Sequence, residues 1–435
     1  MPGPLIIHAI GSLGDVAPPI LLGRELRLRG HQVRVIAGER YAPLVADAGL
    51  EHRPLGIDFE ELVPVPSWQV WSDGKGLAHT MRDGWRRLRP ALETMLSETD
   101  AACIGAQAIL SSTLAAVGYH IGESHRIPYA SLQMQPWEPT REFPHSMAFS
   151  GGWSGGWSGG LTNRLGYTLV DQVLWQLTRS AVNRWRTTSL GLDPLPWYGP
   201  ANRARRQQIP VLCAFSPHVV TPPDDWGSHV HVTGYWFAEG PTDWEPTPGL
   251  VDFLGAGPPP VYVGFGSWQP EDEARVHALA CSALRGAGVR GVLQGRSLET
   301  SDPHRYGTDM FVVGRIPHEW LFPQTAAVVH HGGAGTTGAG LRAGVPNVVC
   351  PFQVDQLFWG TRVAALGAGP RPLPVTHLRA DVLGSAISTA VRDPGMRAAA
   401  AMLGERLRAE RGIERACDVI EDCVRHPVIP GQADH

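Results

Sequence analysis

Lysine is almost absent from this chain of 435 residues: Lys75 is the only lysine among the 37 basic residues. The chain also lacks any long basic run, and its formal net charge is −4. Proteins that bind nucleic acid usually present a basic patch or stripe. The composition therefore argues against nucleic acid as a partner.

Cysteine is scarce as well, since the six cysteines are scattered and none belongs to a C-x-x-C pair. This pattern predicts neither a disulfide framework nor a zinc site, and it fits reduced, mostly buried thiols. No apolar run approaches the roughly 20 residues of a transmembrane helix. The first residues lack the basic region and cleavage site of a signal peptide. We therefore expect a cytoplasmic protein without a transmembrane segment, for which a transient membrane contact stays open.

The length and the rhythm of apolar segments predict two domains. A chain of 435 residues exceeds what one core usually serves. Strand and helix signals alternate near the start and again from residue 260, which is typical of parallel α/β domains with a ligand cleft between them. The predicted parts are a first domain at residues 1–236, a Pro/Gly-rich linker at 237–250, a second domain at 251–412, and a C-terminal segment at 413–435 that could cross back to the first domain.

Local signals give the first bounds of these elements. The pattern predicts a strand over residues 4–10, a tight turn over residues 11–15 and a helix over residues 18–29. In the second domain, strands are predicted over residues 310–313 and 327–330. The final helical pattern extends over residues 396–426.

Residues 325–338 predict a binding site for an anion. A buried strand passes through His330 and His331 into a Gly/Thr-rich turn and then a helix. The first N–H groups of a helix lack intrahelical partners and carry partial positive charge, so they bind phosphate without a metal. Gly333 and Gly335 let the backbone approach a ligand closely, and Thr336 adds a hydroxyl donor. A histidine before the turn can donate one more hydrogen bond.

Asp355 and Gln356 are predicted to end the next strand, and they have the acceptors and donors that vicinal sugar hydroxyls need. A diphosphate site beside a sugar site predicts a nucleotide-sugar ligand. Residues 333–338 also satisfy the G-x-G-x-x-G pattern of NAD-binding proteins, with Asp355 near the expected offset, although that fingerprint normally lies on the first strand of a domain. A further alternative is that His330 or His331 is only a hydrogen-bonded core histidine.

Tryptophan and other large apolar residues crowd the middle of the first domain. A Gly/Ser-rich segment at residues 151–160 carries two of the tryptophans, which suggests a lid of flexible backbone. The alternative is packing within the domain or an oligomer contact. As a group they predict a binding surface for an apolar acceptor, with these candidates: Trp68, Trp71, Met134, Trp137, Phe149 and Trp153.

Three motifs carry a resemblance to a known family: residues 11–18, residues 330–337 and residues 351–360. Together they resemble the family 1 glycosyltransferases of the GT-B fold, and more narrowly the branch of sterol 3-β-glucosyltransferases and antibiotic (macrolide and glycopeptide) glycosyltransferases. The resemblance implies an α/β fold with two Rossmann-like parallel-sheet domains facing a cleft. It covers both domains, while residues 68–197 match no motif.

The resemblance also implies roles for individual residues. Asp15 falls where relatives place the general base, although a helix cap or turn former would have the same sequence, and His8 is a weaker candidate base. Asp355 and Gln356 would bind the hexose hydroxyls. The diphosphate would be held by Ser267, His331, Gly333, Gly335 and Thr336.

The implied activity is an inverting transfer of a hexose to a hydroxyl of a hydrophobic acceptor such as a sterol, triterpenoid or polyketide. Glucose from UDP-glucose is the first expectation. A nucleotide-sugar epimerase or hydrolase on the same fold, and an NAD-dependent oxidoreductase, remain alternatives. The sequence contains no D-x-D motif, so we expect no required metal and no cofactor beyond the nucleotide sugar.

Two positions depart from the plant members of the family. Those members stack uracil on a tryptophan that falls near Arg315 here, and Ala339 stands where they have a ribose-binding glutamate. Nucleoside recognition therefore differs, and UDP and dTDP both stay open. Acceptor identity and oligomeric state, monomer or homodimer, also stay open.

Overall fold

The computed structural model describes most of the chain and contains two parallel β-sheets flanked by helices, as predicted. Each sheet belongs to one half of the chain. The described residues are 3–56, 91–112, 116–147, 159–237, 244–266, 273–295, 303–352 and 355–432.

The first sheet has seven strands in the order β3-β2-β1-β4-β5-β6-β7, and every pairing is parallel. Its strands are β1 (Leu5–His8), β2 (Val33–Gly38), β3 (Glu51–Leu55), β4 (Ala108–Ser112), β5 (Tyr129–Gln133), β6 (Val211–Cys213) and β7 (Val230–Val232). The helices of this half are α1 (Leu13–Leu28), α2 (Ala42–Asp47), α3 (Val117–His125), α4 (Leu161–Thr188) and α5 (Ala201–Arg206). Residues 91–102 are also helical.

The second sheet has five parallel strands in the order β10-β9-β8-β11-β12. Its strands are β8 (Val261–Gly264), β9 (Gly291–Gln294), β10 (Met310–Val313), β11 (Ala327–His330) and β12 (Asn347–Val349). The helices are α6 (Pro248–Gly255), α7 (Glu273–Ala287), α8 (His318–Leu321), α9 (Ala334–Ala343), α10 (Gln356–Ala365), α11 (Ala380–Arg392), α12 (Pro394–Arg408) and α13 (Gly412–Arg425).

The order of the strands determines where a ligand site can form. Strand β1 has β2 on one side and β4 on the other, and β8 has β9 on one side and β11 on the other. The chain direction across the sheet reverses at these two places, so a crevice opens beyond the carboxyl ends of the strands. The turn after β1 and the turn after β11 both lie at such a crevice.

Several predicted bounds differ from the structure, and the first strand, predicted over residues 4–10, is only Leu5–His8. Helix α1 begins at Leu13 rather than at residue 18, because Ser12 caps it and both prolines are accommodated inside the helix. The pattern over residues 396–426 is two helices, with a break at residues 409–411. Helix α6 begins at Pro248, inside the predicted linker, because proline suits the first helical position.

The last helix returns to the first domain. Ala416, Cys417 and Ile420 of α13 belong to the same buried cluster as the core side chains of α1 and β1. The Arg29 guanidinium of α1 lies 2.6 Å from the Asp418 carboxylate of α13. Helix α13 therefore covers an apolar face that the first domain cannot bury alone.

A second apolar cluster joins the two halves of the molecule. Phe143 of the first half lies 5.6 Å, ring to ring, from Phe358 of α10. Phe215 similarly lies 6.1 Å from Trp359. All four side chains are buried, so the two domains share a core at their junction.

The six cysteines are free thiols, and all but Cys423 are buried. Among the described helices, none is long and apolar enough to cross a membrane.

Candidate active site

Asp15 lies on the first turn of α1, directly beyond the end of β1. Its Oδ2 accepts hydrogen bonds from the backbone N–H and the hydroxyl of Ser12, each at 2.9 Å. Burial raises the pKa of Asp15, while the two Ser12 hydrogen bonds oppose the rise. Asp15 therefore takes part in the start of α1, which is one of the two roles that the sequence suggested. It is also a carboxylate whose basicity burial increases.

Gly11 fixes where this carboxylate can be. The residue has a φ of 138°, which side chains rarely adopt, and a Cβ placed on it would collide with the Asp15 carboxylate. One oxygen of Asp15 is thus held by Ser12. Among the described residues, Oδ1 has no hydrogen-bond partner, so it is the oxygen that can meet a ligand.

His8 is not available to a ligand. It is fully buried on β1, and its Nδ1 lies 3.0 Å from the Ser111 hydroxyl. Burial lowers the pKa of His8 to about 4. The position in the sheet core makes it a structural side chain rather than a base.

The second half contributes the turn from β11 into α9. Gly333 is the residue before the helix, and no side chain caps the helix start. Gly335 is exposed, and a Cβ there would have no atom within 4 Å. Gly332 has a φ of 95°, and a Cβ there would approach the Gln356 carbonyl oxygen at 2.8 Å. The helix therefore starts with accessible N–H groups and a backbone that a ligand can approach, as an anion requires.

The two adjacent histidines have different roles. His330 is fully buried, its Nε2 donates to the Asn347 Oδ1 at 2.9 Å, and its Nδ1 accepts from the Gly332 N–H at 3.0 Å. His330 is thus a hydrogen-bonded core histidine. His331 is only 6% exposed, and its Nδ1 has no hydrogen-bond partner in the described part of the chain.

An unpaired buried nitrogen costs free energy unless a ligand or water satisfies it. Burial lowers the pKa of His331 to about 3. The ring is therefore neutral at neutral pH and can offer a hydrogen bond without a charge. Its edge lies against Gly266 and Gly333, where a Cβ would collide with the ring, so glycines on two loops make room for it.

Asp355 and Gln356 are located differently from the prediction. They do not end strand β12 but begin helix α10, with Asp355 as the residue before the helix. The Asp355 Oδ2 accepts from the Trp359 indole N–H at 2.9 Å, and the Gln356 Oε1 accepts from the Phe352 N–H at 2.7 Å. Both side chains are thereby held by their own helix and loop.

Asp15 of the first domain and Asp355 of the second interact electrostatically across the domain junction. The pKa of Asp355 is raised to about 7, first by burial and then by the negative charge of Asp15. The two carboxylates are therefore close enough to repel each other across the junction. A carboxylate from each domain and the open start of α9 define one site.

Trp137 faces α4, whereas Met134 packs on the core that α1 and α13 cover. The Trp137 indole N–H donates to Asp171 at 3.4 Å, and its ring contacts the His145 ring at 4.6 Å. Met134 is half-buried and packs on the core of the first domain. Trp68, Trp71, Phe149, Trp153 and Ser267 lie outside the described residues, as does the segment at 151–160 apart from its last two residues.

Sequence reasoning missed a buried polar group beside Trp137. His145 Nε2, the Ser146 hydroxyl and the Tyr167 hydroxyl are buried, with no hydrogen-bond partner in the described residues. The rings of His145 and Tyr167 lie 4.8 Å apart. No sequence signal separated His145 from a surface histidine, because its burial depends on helix α4, which follows later in the chain.

Among the described residues, no group of three or more His, Cys, Asp or Glu side chains could hold a metal ion.

Two known domain families match this chain. Residues 5–144 match the glycosyltransferase family 28 N-terminal domain. Residues 299–423 match the C-terminal domain of erythromycin biosynthesis protein CIII-like proteins. The two matches fall on the two halves that carry the two sheets.

Two curated relatives differ in how much of them the chain covers. The chain is 38% identical over 425 residues to the O-mycaminosyltylonolide 6-deoxyallosyltransferase of Streptomyces fradiae, covering 96% of this chain and 97% of that protein. It is 36% identical over 434 residues to the sterol 3-beta-glucosyltransferase of Cryptococcus neoformans, covering 94% of this chain. That match spans only 26% of the fungal protein, so the chain corresponds to about a quarter of it.

Solved structures share the fold. The glycotransferase of kitacinnamycin superposes with a TM-score of 0.69 at 20% identity, covering 98% of this chain and 100% of that one. The glycosyltransferase SsfS6 of Streptomyces sp. SF2575, complexed with thymidine diphosphate, gives 0.61 at 18% identity, covering 97% and 99%.

Two parallel-sheet domains that meet at a shared cleft define the GT-B fold of glycosyltransferases. The chain belongs to the family 1 glycosyltransferases of this fold, with the sterol 3-beta-glucosyltransferases and the macrolide glycosyltransferases as its relatives.

Proposed function

We propose that this protein transfers a hexose from a nucleoside-diphosphate sugar, UDP-glucose first, to a hydroxyl of a hydrophobic acceptor such as a sterol, triterpenoid or polyketide. Transfer inverts the anomeric centre and needs no metal. The observation that carries the proposal is the meeting of Asp15 and Asp355 beside the uncapped start of α9, where His331 has an unpaired nitrogen.

The diphosphate of the donor binds at the start of α9. The N–H groups of Gly333 and Gly335, the Thr336 hydroxyl and the His331 ring supply hydrogen bonds there, and the helix dipole adds to them. Ser267 remains a predicted contact from the facing loop. One structural relative is complexed with thymidine diphosphate, which supports a nucleoside diphosphate as the ligand.

The sugar lies between the start of α10 and the turn after β1. The Asp355 carboxylate accepts hydrogen bonds from hexose hydroxyls, and Gln356 contributes its amide. Because the curated relatives include glucosyltransferases and a 6-deoxyallosyltransferase, a hexose fits the family range.

The chemistry follows from the position of Asp15. The carboxylate accepts the proton of the acceptor hydroxyl while that oxygen forms a bond to the anomeric carbon. The bond from the anomeric carbon to the diphosphate oxygen breaks on the opposite face, which inverts the configuration. The leaving diphosphate keeps the electron pair, and the start of α9 with His331 stabilises its charge.

The acceptor occupies the first domain. Trp137 and Met134 are the described candidates for its apolar surface, and Trp68, Trp71, Phe149 and Trp153 remain predictions. Water exclusion by such a surface raises the pKa of Asp15, which improves its match to a proton transfer near neutral pH.

A donor panel tests the proposed transfer. We expect UDP-glucose to raise the melting temperature more than other UDP- and dTDP-sugars, because a ligand that binds only the folded state stabilises it. With a sterol acceptor, glucoside and UDP should form in equal amounts, and EDTA should leave the rate unchanged.

Three results would contradict the proposal. Sugar product without acceptor would indicate an epimerase or hydrolase, and stabilisation by NAD alone would indicate an oxidoreductase. A rate that EDTA abolishes and Mg²⁺ restores would exclude the metal-free mechanism.

The two histidines provide a matched pair of variants. His331→Ala should weaken binding of UDP by about tenfold, the loss of one hydrogen bond to phosphate, and should leave the melting temperature unchanged or raised. His330→Ala leaves the Asn347 Oδ1 and the Gly332 N–H unpaired, so it should lower the stability by about 2 to 4 kcal/mol.

Calorimetric titration with UDP and thermal unfolding distinguish the two histidines. Unaltered UDP affinity in His331→Ala, with the fold intact, would remove this residue from the diphosphate site.

A further inference from the structure

Helix α4 exposes a stripe of aliphatic side chains to solvent. They occur at every fourth residue and are between 38% and 68% exposed. The stripe extends about 24 Å along the helix, at 1.5 Å per residue. Its members, called the α4 stripe below, are Leu161, Leu165, Leu169, Val173 and Leu177.

The opposite face of α4 is packed into the first domain. Tyr167, Trp175 and Val182 are buried in its core. The helix is therefore anchored along its length, and the stripe points away from the protein. Isolated exposed leucines are ordinary on protein surfaces, but a continuous row usually marks an interaction site.

Two aromatic residues lie beside the stripe. Trp197 is 65% exposed and Tyr198 is 44% exposed, with ring centroids 5.9 Å apart. The Gln176 amide donates a hydrogen bond to the Trp197 carbonyl oxygen at 2.6 Å, and the Gln172 amide donates one to the Tyr198 carbonyl oxygen at 2.8 Å. These bonds hold the loop that carries both aromatic residues against α4. Tryptophan and tyrosine are the side chains that favour the boundary between lipid and water.

The charge on this surface is positive. Of the nine exposed positions from Leu161 to Leu177, five are aliphatic, three are uncharged polar and one is Arg164. The only carboxylate of α4, Asp171, is 13% exposed and lies 2.7 Å from the Arg205 guanidinium. In the described part of the chain, neither Arg164 nor Arg179 has an ion-pair partner.

We propose that the α4 stripe docks the protein on an anionic lipid bilayer, with α4 lying in the plane of the interface. Apolar side chains on one face, arginine at its margin and interfacial aromatics are the features by which such helices bind membranes. A second copy of the chain is a poorer match, because a two-fold contact through this face would place the arginines of both copies near one another.

Docking in this orientation would bring the candidate acceptor surface close to the bilayer. The inner face of the same helix carries Tyr167 and Asp171, which contact His145 and Trp137. The candidate acceptor surface is thus separated from the lipid by a single helix. Docking itself does not depend on glycosyl transfer and can be measured without it.

Vesicle cosedimentation of the full chain tests the docking surface. The wild type should bind vesicles of phosphatidylcholine with phosphatidylglycerol, and bind less in high salt or without phosphatidylglycerol. The double variant Leu165→Gln/Leu169→Gln should partition at least about tenfold less, since binding scales with buried apolar area. Arg164→Gln/Arg179→Gln should lose only the dependence on anionic lipid.

A control variant separates this surface from general hydrophobicity. Val251 and Met402, 48% and 57% exposed, are aliphatic positions of the second domain. The double variant Val251→Gln/Met402→Gln should bind like the wild type. All variants should share one melting temperature, because exposed substitutions change stability little.

Three outcomes would overturn the proposal. The wild type could stay in the supernatant with every vesicle. The control variant could lose binding as strongly as the stripe variant. Sedimentation equilibrium could instead show a dimer that Leu165→Gln/Leu169→Gln dissociates, which would make a second copy the occupant of the stripe.

Discussion

Asp15→Asn is expected to lower kcat by about 100- to 10,000-fold, the range by which a positioned general base accelerates a reaction, while donor binding stays intact. Asparagine retains an oxygen that can accept both Ser12 hydrogen bonds. The start of α1 is therefore preserved. What is lost is the ability to take the proton of the acceptor hydroxyl.

A second helix start supplies the control. The Asp393 carboxylate accepts hydrogen bonds from Gly395 and Met396 at the beginning of α12, away from the cleft. Asp393→Asn should leave kcat and the melting temperature unchanged, and Asp15→Asn should be at least as stable as the wild type, because it removes a buried carboxylate whose pKa is raised. If Asp15→Asn turned over at the wild-type rate while UDP still bound, Asp15 would be a helix cap only.

Asp355→Asn is expected to stabilise the unliganded protein and to abolish productive sugar binding. The pKa of Asp355 is raised from the ordinary value of 3.8 to about 7. Such a shift corresponds to a cost of up to about 4 kcal/mol once the group is ionised. An amide removes the charge and can still accept the Trp359 hydrogen bond.

The sign of the pH dependence follows from proton counting. Between about pH 4 and pH 7 the folded state binds a proton at Asp355 that the unfolded state has already released, so stability falls as pH rises. The difference in unfolding free energy between Asp355→Asn and the wild type should therefore be near zero at about pH 4 and largest above about pH 7. Chemical denaturation at a series of pH values measures it.

The exposed ion pair of Asp309 and Arg285 should have the opposite dependence of stability on pH. Hydrogen bonding to Arg285 lowers the pKa of Asp309, so this carboxylate contributes stability that is lost as pH falls. Asp309→Asn should leave the protein unchanged or slightly less stable near neutral pH, because exposed pairs contribute little. If Asp355→Asn were less stable than the wild type near pH 8, the ionised Asp355 carboxylate would not destabilise the folded protein.

Regular elements could be read from the sequence where apolar runs were sharply bounded. The strands at Met310–Val313 and Ala327–His330 have the predicted bounds, because each is a short, fully buried run. The start of α1 was missed, because residues 11–15 were interpreted as a turn, whereas Ser12 caps a helix that begins at Leu13.

The chemistry of the site was less accessible to sequence reasoning. The glycine-rich turn from β11 into α9 could be predicted, because its glycines and threonines are contiguous. The sequence could not show whether His330 or His331 is the core histidine, because the answer depends on a hydrogen bond to Asn347 on the next strand. The repulsion between Asp15 and Asp355 arises from residues 340 positions apart in the sequence and depends on how the two domains meet.

The return of α13 to the first domain makes the two halves unsuitable for simple exchange between relatives. A hybrid enzyme joined only after Phe237 would combine one first domain with a foreign α13. Ala416, Cys417 and Ile420 would then have to fit a core in which they did not evolve. A chimera that keeps α13 together with its own first domain needs two junctions, one in the linker and one at residues 409–411. The second domain would then be a replaceable insert between them.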